Sequence, residues 1–419
     1  MNIFDELKWR GLVFQVSDED GVREYLSTPG RAMYCGFDPS AKSLHIGNMV
    51  PLLGLLRFKR AGHSPIFLAG GATGLIGDPS GKDQERQLKP SEEIEFNISC
   101  IRKQAEKLFE GDVNIVNNHD WFGQITALEF LRDYGKFFSV NRMMGKESVK
   151  NRFGRDDVGI SYTEFSYQIL QSLDFEYLAR EHGCKLQIGG SDQWGNITAG
   201  CEFMRRKSGL EGYAMTFPLI TTADGKKFGK SEKGAIYLDP ELTSVYEFYQ
   251  FWVRADDRDV VKLLNYFTFL PQEEIAELAK CVEEQPHLRE AQKRLAEEMT
   301  SLVHGKDELD KVLKATDALF GKGDIREVDV RTLKAALDEA PSQEYDKTDG
   351  LPDLAQMLVD TGLCASKGQA KKDIKAGGVY VNNERVQDID FTPGASDFLH
   401  GEALMLRKGK KNYGLICLK

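Results

Sequence analysis

The segment PSAKSLHIGN, residues 39–48, sets an imidazole, a glycine and an amide where a buried strand gives way to an apolar helix. The first turn of a helix presents unpaired N–H groups and a partial positive charge, which suits an anion. His45 and Asn48 are three apart and share a face of that turn. Gly47 lets a flat or charged ligand approach the backbone. A nucleotide and an ordinary helix cap both satisfy these residues. A second candidate is KKFGKSEKG, residues 226–234, where Lys227 and Lys230 flank Phe228-Gly229 and Ser231 follows. Lysines on a glycine-flanked loop act as point charges that close over phosphates, and the plain alternative is a solvated hairpin tip. This GKS is not a P-loop, because the upstream glycine and the strand-to-helix setting are missing.

Two weaker patterns accompany these. In GDPSGKDQER, residues 77–86, Lys82 and Arg86 are four apart and can address one phosphate group. In SYQILQSLD, Tyr167, Gln171 and Asp174 recur at i, i+4 and i+7, one stripe of one helix. Such a stripe is ordinarily apolar core. A phenol, an amide and a carboxylate are costly to bury without partners, and a polar ligand is one such partner.

The elements that must position these residues follow from the surrounding pattern. RAMYCGFDPS reads as a buried strand ending in a turn, and HIGNMVPLLGLLRFKRAG as a helix stopped near Gly62. SPIFLAGGATGLIGDPSG is a second strand running into glycines, VNIVNNHDW a third, and KLQIGGSDQWGNITAG a fourth. Strands alternating with helical stretches predict right-handed crossovers and a parallel sheet, an α/β domain over residues 1–232. Ligands bind at the carboxyl ends of such strands, and three of the unusual segments fall there. Residues 233–325 turn helical, 326–350 with EAPSQEYDKTDG read as a linker, and 351–419 form a small α+β module. That module ends a basic helix in a hairpin tipped by Asn382-Asn383.

The bulk numbers fit a globular protein of two or three domains: 419 residues, 41% hydrophobic and 29% charged. A net charge of −10 argues against a protein that coats nucleic acid, and no DNA partner is expected. From Leu351 onward, however, there are 10 Lys+Arg against 8 Asp+Glu. Lys367, Lys371, Lys372 and Lys375 precede the Gly377-Gly378 turn, and Arg407, Lys408, Lys410 and Lys411 lie near the end. With the acids mostly outside these clusters, they suit RNA phosphates. Seven scattered cysteines without a CxxC pair point to free thiols in a reducing cytoplasm and to no metal site. MNIFDELKWRG lacks the apolar core of a signal peptide, and no run is long enough for a membrane span.

Taken in order, HIGN within GFDPSAKSLHIGN and the late KFGKS resemble the two signatures of class I aminoacyl-tRNA synthetases. YCGFDPSAKSLHIGN, GGATGLIGDPSGK, SYTEFSYQILQ and LQIGGSDQWGNITAG resemble the bacterial tyrosyl-tRNA synthetases in particular. ASKGQAKKDIKAGGVYVNNERV resembles the S4-type RNA-binding domain that ends those enzymes. The resemblance implies a Rossmann-like catalytic domain, ATP with Mg²⁺, L-tyrosine and tRNA(Tyr). It also implies a homodimer formed through an insertion at about 120–160, where WFGQITALEFLRDYGKFFSVNRMM is apolar and aromatic. By the same comparison Tyr34 and Asp174 hold the substrate phenol, and Tyr167, Gln171, Asp78 and Gln193 surround its ammonium. Asp38, His45, Gly47, Asn48, Gly190, Asp192 and Lys230 take the nucleotide. Asn48 stands where most of the family has histidine. His45, Lys82, Arg86, Lys227, Lys230 and Ser231 stabilise the reacting phosphates. A tryptophan-specific enzyme shares the fold and both signatures but not the phenol-matching pair. A synthetase-derived RNA-binding protein without catalysis is the rival of another class, and both intact signatures argue against it.

Overall fold

The computed structural model describes residues 2–80, 87–146, 149–150, 159–226, 228–231, 234–319, 323–338, 340–346, 350–409 and 412–419, with Lys230 and Ser231 described through their backbone alone. The chain divides into two compact units, Met1–Leu242 with Ala255–Ala291, and Thr243–Arg254 with Gln292–Lys419.

The first unit is built on a six-stranded sheet of β1 (Gln15–Val16), β2 (Ala32–Phe37), β3 (Ser64–Ala69), β4 (Asn114–Asn117), β5 (Leu186–Gly190) and β6 (Tyr213–Phe217), in the order β1-β6-β5-β2-β3-β4. β2, β3, β4, β5 and β6 run parallel, and β1 is antiparallel to β6 at one edge. The α/β expectation holds. After β2 the chain winds outward through β3 and β4, then jumps back across β2 to β5 and β6. Winding therefore reverses between β2 and β5, which opens a crevice at their carboxyl ends. Strands buried on both faces read as continuous apolar runs, which is why AMYCGF and SPIFLA stand out in the sequence. β6, YAMTF, is equally buried but includes Ala214 and Thr216, so its apolar run is weaker.

Three helices position the crevice. Ile46–Arg60 follows β2, with Gly62 at φ +83 in the turn after it. Tyr162–His182 begins where the Ser161 side chain accepts from the Glu164 N–H, and ends at Gly183 in the left-handed region. Trp194–Ser208 follows β5. Arg57, buried within Ile46–Arg60, donates to the carbonyls of Thr268 (2.6 Å) and Tyr266 (3.3 Å). Arg10 donates to those of Thr268 (3.2 Å) and Leu270 (2.9 Å). These carbonyls close the helix Asp257–Phe267, whose negative dipole end suits two guanidiniums. Burial pulls the Arg57 guanidinium down to about 9. A short two-stranded sheet, β7 (Lys230–Ser231) with β8 (Gly234–Ala235), completes the unit.

The second unit carries a five-stranded sheet of β9 (Ser342–Tyr345), β10 (Val379–Val381), β11 (Glu384–Val386), β12 (Ala403–Lys408) and β13 (Asn412–Leu418), ordered β11-β10-β12-β13-β9. Alternate residues of β12 and β13 face opposite ways. Leu404, Leu406 and Ile416 pack on Leu354, Leu358, Ala370 and Ile374. Ala403, Met405 and Leu415 pack on Ala315, Leu319 and Leu333. Asn382 and Asn383 both adopt positive φ at the predicted hairpin tip. Where a linker is expected at 326–350, the described residues form the helix Val330–Ala336 and strand β9, which pairs parallel with β13. EAPSQEY reads as a linker because β9 is an edge strand with polar residues on its solvent face. The helices expected over 233–325 are present, but they divide between the two units.

A Cβ on Gly54 would lie 2.5 Å from the fully buried Phe217 ring, so the helix Ile46–Arg60 seats on the sheet only because that residue is glycine. Gly54→Ala should destabilise the fold by about 1–3 kcal/mol, the usual cost of overpacking. Chemical denaturation measures it, and parent-like stability would contradict this packing.

Candidate active site

A chain of hydrogen bonds runs beneath the crevice. The Tyr167 hydroxyl donates to Asp38 (2.8 Å), and the Thr73 hydroxyl donates to the other Asp38 oxygen (2.8 Å). The Asn118 amide donates to Thr73 Oγ1 (3.0 Å) and to Asp174 (3.1 Å). The Trp121 indole donates to the second Asp174 oxygen (3.0 Å). Asn118 is fully buried, and its own oxygen accepts from the Ala72 N–H (2.7 Å). Gly70 allows the loop after β3 to close on this chain, since a Cβ there would lie 2.2 Å from Asp38 Oδ1. Burial raises the Asp174 carboxyl well above its ordinary range, and the Asn118 and Trp121 donors offset part of that rise. Tyr34, on β2, is 1% exposed, and its hydroxyl has no hydrogen-bond partner among the described residues. Burial pushes its phenol well up, and the nearby Asp174 charge pushes it further.

A second cluster gathers on Asn196, 5% exposed, at the start of the helix Trp194–Ser208. Its amide donates to Gln171 (3.0 Å) and to Gln193 (3.4 Å). Asp78 accepts from the Gln193 amide (2.6 Å) and from the Ser80 N–H (2.9 Å). Of the predicted tyrosine residues, Tyr167 and Asp174 belong to the first hydrogen-bonded group and Asp78, Gln171 and Gln193 to the second, while Tyr34 stands outside both. The Tyr167 hydroxyl bonds Asp38, expected on the nucleotide side, while Asp78 acts on it only through charge. The sequence reading missed Asn118, Thr73, Trp121 and Asn196. Only NNHDW, two amides and an indole at the end of β4 and just after it, carried a visible signal.

At the first signature, His45 caps the helix Ile46–Arg60, and Asn48 Oδ1 accepts from the His45 N–H (3.1 Å). Capping uses the Asn48 oxygen and leaves its NH₂ unused by the cap. A Cβ on Gly47 would lie 2.8 Å from the His45 ring, so glycine leaves room for the imidazole itself. The segment after the second signature pairs with the first: the Ile46 N–H donates to Ile236 (3.0 Å) and the Leu238 N–H to Leu44 (2.9 Å). Gly229, at φ +88, backs onto Ile46 and Gly47, where a Cβ would come within 3.3 Å. Lys230 and Ser231 lie in β7 just beyond. Gly190 ends β5, and a Cβ there would lie 2.6 Å from Asp192 Oδ1, so β2 and β5 deliver Asp38 and Asp192 to the point where winding reverses. Lys82, Arg86 and Lys227 lie outside the described residues.

In the second unit the expected basic clusters are less free than their sequence spacing implies. Lys367 pairs with Asp353 (3.6 Å), Lys371 with Asp390 (3.1 Å) and Lys408 with Asp373 (3.0 Å). Tertiary folding brings the acids to the bases. Lys372 and Lys375 are exposed with no ion pair among the described residues, and the Arg407 guanidinium stacks 3.9 Å over the Tyr380 ring. Lys410 and Lys411 lie outside the described residues.

Residues 28–321 match the family model for class I tRNA synthetases (W and Y). Residues 332–416 match that for the SYY-like C-terminal domain of tyrosine–tRNA ligase. A C-terminally truncated mitochondrial tyrosyl-tRNA synthetase from Aspergillus nidulans is 34% identical, over 76% of this chain and 94% of its own, with a TM-score of 0.69. Its truncated counterpart from Coccidioides posadasii is 32% identical, over 75% and 91%, with a TM-score of 0.66. A tryptophanyl-tRNA synthetase from Encephalitozoon cuniculi, at 15% identity over 79% of this chain and 89% of its own and a TM-score of 0.54, shares the fold. The chain belongs to the class I tRNA synthetases of the tryptophan and tyrosine group. Within that group it is a tyrosyl-tRNA synthetase, a tyrosine–tRNA ligase with tyrosine, ATP and tRNA as substrates.

Asp174 gives this site a measurable pH signature. The folded state holds its proton to higher pH than the unfolded chain, so stability falls as pH rises from the ordinary value of 3.8 toward the raised one. Asp174→Asn should remove that slope, up to about 1.4 kcal/mol per pH unit for one proton. Denaturation midpoints measured from the ordinary value of 3.8 upward in pH provide the readout. An identical slope in parent and variant would count against the raised carboxyl.

Proposed function

We propose that tyrosine binds with its phenol between Tyr34 and Asp174, donating to the carboxylate and accepting from the Tyr34 hydroxyl. What carries this reading is one observation: a buried phenol without a partner stands beside a buried carboxylate held by two N–H donors. Phenylalanine would leave the buried Tyr34 hydroxyl without a partner and bring no donor to Asp174, which penalises it by desolvation. The substrate ammonium meets Asp78, Gln171, Gln193 and the lone pairs of the Tyr167 hydroxyl. The hydrogen-bond chain supports this division, because the Tyr167 proton is already given to Asp38.

ATP lies across the reversal point, with its phosphates at the His45 turn and its ribose near Asn48, Gly190 and Asp192. The Asn48 NH₂, free of the cap, donates to the ribose. The tyrosine carboxylate attacks the α-phosphorus in line and pyrophosphate leaves. The terminal ribose hydroxyl of tRNA(Tyr) then takes the tyrosyl group and AMP departs. No protein nucleophile is used. His45, Lys82, Arg86, Lys227, Lys230 and Ser231 act by placing charge where it develops on the phosphates. Among the described residues no group of three His, Cys, Asp or Glu is placed to hold a metal, and Asp38 and Asp78 are engaged by side-chain donors. Mg²⁺ is proposed to arrive with ATP, held through its phosphates and water, rather than in a protein cage.

The same proposal covers the organisation of the chain: a catalytic domain over 1–232, a helical region over 233–325 and an S4-like RNA-binding part from 351. A homodimer forms through the insertion at about 120–160, where Leu128, Leu131 and Val140 are 80%, 54% and 58% exposed. Among the described residues no helix is long and apolar enough to cross a membrane. Placement in the cytoplasm rests on the scattered free cysteines.

The test is pyrophosphate exchange against the twenty amino acids. The parent should respond to tyrosine, and Asp174→Ala should lose most discrimination against phenylalanine with a fall of at least about tenfold. Retained discrimination would remove Asp174 from the pocket. Lys372→Ala with Lys375→Ala should lower tRNA charging by several-fold, with a shallower salt dependence, and leave exchange unchanged. Parent-like charging at moderate salt would take these lysines out of the RNA surface.

A further inference from the structure

The second signature follows a hairpin whose tip is fastened to a helix that has no part in the substrate pocket. Thr222 and Lys226 close the hairpin (2.8 Å), Gly225 turns it at φ +78, and the Phe228 N–H returns to Ile220 (3.0 Å). The tip residues are exposed, yet three contacts hold them to the helix Asp257–Phe267. The Ala223 N–H donates to Asp259 Oδ2 (2.8 Å). Lys262 donates to Asp259 Oδ1 (3.0 Å) and to the Thr221 carbonyl (3.0 Å). Arg258 pairs with Asp224 (3.1 Å). Asp259 is 4% exposed and sits in the first turn of its helix, where the dipole favours a carboxylate.

The other end of the signature is held as firmly, by the Ile46–Ile236 and Leu44–Leu238 bonds. The two holding helices are joined in turn, because Arg57 of Ile46–Arg60 grips the carbonyls of Tyr266 and Thr268 at the end of Asp257–Phe267. This is a closed circuit: first-signature helix, Arg57, helix Asp257–Phe267, Asp259, hairpin tip, second signature, first signature. Lys230 lies on the one span of the circuit between two fixed points.

We propose that Asp259 is a positioning residue for adenylate formation, holding the hairpin tip so that the second-signature cations are presented to the phosphates at the His45 turn. The proposal rests on the reading of that loop as the phosphate-binding one. Charge that must meet a transition state loses effect quickly when its support is loose. Tyrosine touches none of these groups, so its binding is independent of them.

The experiment is pyrophosphate exchange on the full-length chain with Asp259→Ala, Asp259→Asn and Lys262→Met, alongside Lys230→Ala. Asp259→Ala should lower kcat about tenfold, the scale of one charge-assisted hydrogen bond, with the KM for tyrosine within about twofold. Asp259→Asn keeps an acceptor for the Ala223 N–H and should recover much of the loss, which a role in stability alone would not produce. Parent-like kcat in Asp259→Ala, or a tyrosine KM that rises in step, would overturn the anchor. If Asp259→Ala does not fold, Lys262→Met decides, because that side chain is 37% exposed, and an unchanged kcat there also overturns it. A parent-like Lys230→Ala would instead overturn the reading of the loop itself.

Discussion

A carboxylate taken out of water has to be held, and Asp174 is the one on which this site is built. Its two oxygens take N–H donors from Asn118 and Trp121, both supplied by the segment after β4. Asn118 then reaches Thr73, Thr73 reaches Asp38, and Asp38 receives Tyr167. Residues from four separate stretches of chain are thus fixed by one need, that no buried polar group be left unpaired. The same series joins Asp174 at one end of the crevice to Asp38 and Tyr167 at the other. A pocket supported this way is stiff before substrate arrives, which suits chemistry that depends on placement.

The sheet supplies the frame for that series. Reversal of winding between β2 and β5 leaves their carboxyl ends uncovered, and Asp38 and Gly190 lie there. The first signature exploits the same opening with a helix terminus. The second is brought to it by pairing of residues 236–238 with 44–46. Gly229 and Gly47 both have steric reasons to lack side chains: one backs onto the first-signature turn, and the other clears the His45 ring. The second unit is organised differently, around a sheet covered on both faces by short helices, with much of its basic surface neutralised locally. The unpaired basic surface is narrower than composition suggests.

The sequence alone determined the parallel-sheet class, because AMYCGF, SPIFLA and KLQIGG are apolar runs ending in glycine or aspartate, and that pattern is local. It determined the two signatures and the polar stripe on Tyr162–His182 for the same reason: residues three, four and seven apart on a helix meet whatever the rest of the chain does. It also determined the Asn-Asn hairpin. Tertiary structure decided who partners whom. Asn118 has no periodicity to announce it, and Asn196 sits in a stretch that reads as an ordinary helix start. β9 looked like a linker because an edge strand needs only one apolar face. The neutralised lysines show the same limit, since Lys371 and Asp390 are nineteen positions apart and nothing local predicts their meeting. Asp259 is the clearest instance: in the sequence it is one more acid in a charged first turn. Only the fold, by carrying a distant hairpin against that turn, buries it and gives it a backbone N–H to hold.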